Sequence, residues 1–255
     1  MADARVELGE QGWRFFSGLH RLLLRLAGRV PDEWLDEMRR MLAGGDLPQV
    51  PDAVMGSMVE FGEPLTAGDV ALIREIVLAF FGRDPVAVDR VRIVDEVPVT
   101  GHRFFPAPAE VLATDAARIP PRLDLTGRPG DNLWELPPAL AALGDLATRL
   151  TDIRDRSQVG ASRLVEDVLS TSRAWRFAPG DSYADGVRVI LVEVVPYAAA
   201  WDVAGQVRRD LERPGAAAPQ IEVFWAGESL PPYHQAALAG SALLWQAPTG
   251  RVSDR

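Results

Sequence analysis

Lysine and cysteine are absent from this chain of 255 residues, asparagine occurs once (Asn132), and histidine occurs three times, as His20, His102 and His234. Each absence removes a chemistry. Without lysine there is no Schiff-base amine and no phosphate-loop ammonium. Without cysteine there is no thiolate nucleophile, no thiolate metal ligand and no disulfide. Long apolar runs are missing too. The most hydrophobic windows, 19–26 and 187–195, fall far short of the ~20 residues that span a bilayer, so no membrane role is expected. The opening Met1-Ala-Asp-Ala-Arg-Val-Glu is not a basic stretch followed by an apolar one. That pattern gives no secretory leader and the expectation of a cytoplasmic protein.

All 27 cations are arginine, set against 36 carboxylates, for a formal charge of −9 and an isoelectric point near 4.9. Displacing counterions from phosphate needs a cationic footprint, so a nucleic-acid partner is not expected. A basic protein partner would be the complementary one. The densest cationic pairs, Arg39–Arg40 and Arg208–Arg209, sit among acids and read as solvated helix faces. Guanidinium stays protonated, so none of these groups serves as a general base.

Apolar spacing suggests an α+β protein: a helical N-terminal half, an irregular proline-rich middle, and a C-terminal βαβα unit with a small sheet. The corresponding regions are 1–85, 86–138 and 139–255. Leu19, Leu22, Leu23 and Leu26 recur at helical spacing. Trp34, Leu35, Met38, Met41 and Leu42 form a second stripe, and residues 51–61 read as a helix, with Val59-Glu60-Phe61 also compatible with a strand. Thr66, with Asp69 three residues on, is the clearest helix start. Val70, Ile73, Val77 and Phe80, widened by Leu72, Ile76 and Phe81, predict a well-buried helix ending at Gly82. Residues 91–94 are a short strand, and 98–138 a long connection over the core. Leu140, Leu143, Leu146 and Leu150 resume helical spacing, and 159–170 reads as another helix.

The run 187–195 is apolar on both faces, as in a strand covered on both sides. A helix carrying Trp201, a second strand over 220–225 and a last helix behind Pro231–Pro232, through Ala236, Ala239 and Ala242, follow in order. That order predicts a parallel strand pair with a right-handed crossover. An echo links the halves: Trp34 with Trp201, Arg39 with Arg208, Gly62 with Gly227, and Trp13 with Trp175. It suggests either an internal duplication or chance in a biased composition. Duplication requires residues 19–26 to be a strand like 187–195, against their helical spacing.

No motif assigns a reaction. The histidines show no ligand spacing, so no metal is expected. The turn after the first C-terminal strand, Val-Val-Pro-Tyr-Ala, lacks a glycine cradle, so no cofactor is expected. The best catalytic candidates are His234, Ser229 and Glu228, near Tyr233 and Tyr197, where ligands bind beyond parallel strand ends. Helix capping and core packing are the ordinary alternative. Glu193 and Glu222, inside the two strands, should find a partner such as Arg188.

The leading reading is a non-catalytic cytoplasmic protein that binds another protein, as an adaptor, regulatory subunit or immunity-type inhibitor. Trp134, Trp175 and Trp225 are its candidate anchors. A small-molecule enzyme or ligand-binding protein with a site near Glu228–His234 is the alternative, and the balance leans away from an enzyme. Self-association through the small-residue last helix is a third option.

Overall fold

The structure, a computed structural model, describes residues 3–126, 140, 143–150, 155, 160, 162, 165–180, 182–212 and 220–248. The fold is α+β, and the chain forms two compact units, 2–100 and 101–255.

The first unit is built from α1 (Ala4–Leu26), α2 (Asp32–Ala43), α3 (Gln49–Phe61) and α4 (Ala67–Phe81). A two-residue strand β1 (Leu65–Thr66) pairs parallel with β2 (Ile93–Val94). Leu19, Leu22, Leu23 and Leu26 are at most 1% exposed, as their helical spacing requires. The same finding removes the duplication. Residues 19–26 are helix where 187–194 is strand, and Trp13 lies in a helix while Trp175 lies in a strand.

α4 starts as its sequence dictates. The Thr66 hydroxyl accepts from the Asp69 amide (3.1 Å), and the Asp69 carboxylate accepts from the Thr66 amide (3.2 Å). Gly82 ends the helix in the left-handed conformation that glycine takes without strain. Arginines then tie α1 to the start of α4. Arg25 pairs with the buried Asp69, and Arg29 donates to Glu63 (3.1 Å) and to the Pro64 carbonyl.

The burial expected for α4 needs correcting. Val70, Ile73, Ile76 and Val77 are buried, but Leu78, Phe80 and Phe81 are 62%, 49% and 49% exposed. This helix is apolar almost all round, so periodicity alone cannot say which residues are covered. Its last turn is left uncovered.

The second unit holds a six-stranded sheet. Its members are β3 (Arg103–Phe105), β4 (Leu123–Asp124), β5 (Val168–Phe177), β6 (Val187–Val194), β7 (Gln220–Trp225) and β8 (Ser241–Gln246). The order is β4-β8-β5-β6-β7, with β3 continuing the β8 side of β5. β6 and β7 run parallel, Val189 opposite Gln220 through Val194 opposite Trp225, with α6 (Ala200–Glu212) between them in sequence. This is the expected crossover unit. Two further helices are α5 (Ala109–Asp115) and α7 (Pro232–Ala239).

Two expectations fail here. Residues 168–170 belong to β5, although Val165, Val168 and Leu169 mimic a helical stripe. The continuation Ser-Thr-Ser-Arg-Ala-Trp-Arg-Phe is strand-like, and pairing on both sides fixes it as the central strand. The last helix stops at Ala239, and Ala242 lies in β8. Gly240 makes that turn because β3 runs beneath it: a Cβ there would lie 2.3 Å from the Phe104 carbonyl oxygen. The helix expected at 140–150 falls partly outside the described residues. Within them, residues 144–149 form a 3-10 helix.

Paired residues in adjacent strands share a face. One face of the sheet, bearing Phe177, Ala242 and Leu244, packs on Val111, Leu112, Leu140, Leu146 and Leu150. Arg173 lies on that face, 2% exposed. It pairs with Asp155 and donates to the carbonyls of Pro106 (2.7 Å) and Leu150 (3.1 Å). Arg188 takes the other Asp155 oxygen. Removing Asp155 leaves a buried guanidinium without its counter-charge, which costs ~3–5 kcal/mol. Asp155→Ala should lower unfolding stability in urea by that amount. Asp155→Leu with Arg173→Met should recover most of the loss.

Candidate functional site

The opposite face of the sheet carries a second set of polar residues. In register it bears Ser170, Ser172 and Arg176 on β5, Glu193 on β6, Gln220 and Glu222 on β7, and Ser241 on β8. Glu222 and His234 are buried together, 1% and 0% exposed, with His234 Nε2 donating to Glu222 Oε2 at 2.8 Å. Glu222 therefore finds its partner on α7 rather than in Arg188. Glu193 accepts from the Ser170 hydroxyl at 2.9 Å.

Tyr233, next to His234, accepts at its phenol oxygen from Arg176 (3.2 Å). Its ring meets Phe104 and His102 edge-on at 5.0 and 6.1 Å. A carboxylate that holds one imidazole nitrogen leaves the other as an acid–base group. Here Nδ1 of His234 is buried and has no hydrogen-bond partner among the described residues. The pair fixes α7 to the sheet.

The three catalytic candidates are not brought together. His234 turns under the sheet. Ser229 is exposed on the loop above and makes no hydrogen bond to His234. Glu228 folds back to accept from the Trp225 backbone amide at 3.2 Å, closing the turn.

What gathers instead at the carboxyl end of β6 and β7 includes a residue that the sequence reading missed. Asp167 stands at the turn into β5, its carbonyl accepting from the Val195 amide at 2.9 Å. Burial pushes its carboxyl above the ordinary 3.8, and its Oδ1 is buried with no hydrogen-bond partner among the described residues. Tyr197 follows, 45% exposed, with φ of +65°, a backbone region that bulky residues avoid. Reading residues 159–170 as helix hid Asp167. The strand-like 168–177 run was the signal that could have placed it at a strand end.

Of the proposed anchors, Trp225 is 4% exposed. Its indole donates to the Ala198 carbonyl (2.8 Å), and its ring meets Trp201 edge-on at 6.4 Å, so it holds the crossover helix to β7. Trp175 is half-buried, opposite Arg188 and Phe105 in the sheet. Trp134 lies outside the described residues. Leu78, Phe80 and Phe81 at the close of α4, with Val86 just beyond at 60%, are among the large apolar side chains open to solvent, as are Val6, Val99, Ile93 and Trp34. No family model, no curated protein and no solved structure matches this chain.

Two outcomes follow. Glu222→Leu and His234→Leu should each destabilise the chain, while the double substitution costs less than their sum by ~0.5–3 kcal/mol in urea unfolding. Additive losses would show that the pair is not coupled. For Asp167, the folded chain holds the carboxyl proton more tightly than the unfolded chain, so wild-type stability falls as pH climbs from 3.8 towards the raised value. Asp167→Asn should therefore gain stability over wild type at neutral pH and lose that advantage below pH 3.8. A pH-independent difference would contradict the assignment.

Proposed function

We propose that this chain is a non-catalytic cytoplasmic protein that binds another protein, and that the docking surface is the last turn of α4. The observation that carries the reading is the exposure of Leu78, Phe80, Phe81 and Val86 in one short stretch. Large apolar groups cost ~25 cal/mol per Å2 when left in water, and clustered exposure of this kind marks interaction sites. Leu78 and Phe81 lie three residues apart on one helix face, and Phe80 projects about 100° round the helix from Phe81. Arg83 stacks over the Phe81 ring at 5.2 Å and pairs with Asp52 at 2.9 Å, which pins the rim. No helix among the described residues is long and apolar enough to cross a membrane, so the patch is not read as part of a span.

A second reading, ligand binding at the carboxyl ends of β6 and β7, rests on the raised Asp167 carboxyl and the conformation of Tyr197. The exposed tyrosine could stack on a small aromatic or sugar ring there. Its mark would be a ligand whose affinity is lost in Asp167→Asn and unaffected by changes in α4.

The test of the first reading is co-purification from native lysate of the wild type and of a Phe80→Ser, Phe81→Ser double variant with an unchanged far-UV spectrum. A near-stoichiometric companion should accompany the wild type and fall at least tenfold with the variant. Identical companions for both, or none for either, would overturn the reading.

A further inference from the structure

We draw no further inference here: the strongest candidate, the side-chain cluster on β3 and β5 where the Arg103 guanidinium lies over the Phe105 and Tyr183 rings and Phe105 stands opposite Trp175, holds two buried N–H groups, Arg103 Nε and Trp175 Nε1, with no acceptor among the described residues, but nothing in the structure shows that the two face one space a ligand could enter.

Discussion

The buried guanidinium of Arg173 is the fixed point of the second unit. It sits in the central strand, 2% exposed. There it shares Asp155 with Arg188 and takes carbonyls from two further segments, at Pro106 and Leu150. A planar fork with five donors can hold three stretches of chain at once, and an ammonium could not do so with the same geometry. The first unit uses the same device more openly, with Arg25 and Arg29 joining α1 to the cap and preceding loop of α4. In a chain without lysine, every cation is able to make such a connection, and most of those in the first unit do.

That use of arginine shapes the surface. Each guanidinium matched to a carboxylate neutralises it, so the surplus of 17 carboxylates over 11 arginines in residues 1–100 is what stays uncompensated. The net negative charge is set by that composition, while most of the arginines there go to holding the fold together. The last turn of α4 leaves Leu78, Phe80 and Phe81 in solvent.

The sequence was most legible where local chemistry decides the outcome. The Thr66–Asp69 cap, the leucine spacing of α1 and the doubly apolar run of β6 all depend on neighbours a few residues away, and all appear as read. The parallel β6–β7 pair followed from element order alone. Legibility failed where distant partners decide. β5 carries a helix-like stripe at its start but is fixed by β6 on one side and by β8 and β3 on the other. β8 was absorbed into the helix before it, because small residues such as Ala242 suit both states.

The functional residues show the same division. His234 was visible as an unusual residue near a strand end, but its burial against Glu222 was not. Asp167 was invisible because its neighbourhood was assigned the wrong element. In α4, a helix apolar almost all round gave no sign of which end would be left open. Residues that local rules place in the core but the structure leaves in water are where a binding function is most economically sought. The most direct measurement is photo-crosslinking in native lysate, with a benzophenone amino acid in place of Phe80 or, as a control, of the exposed Asp46 on the same unit. A discrete adduct from position 80, absent from position 46 and competed away by excess unlabelled wild type, is expected. The same products from both positions, or no adduct from position 80, would contradict the account.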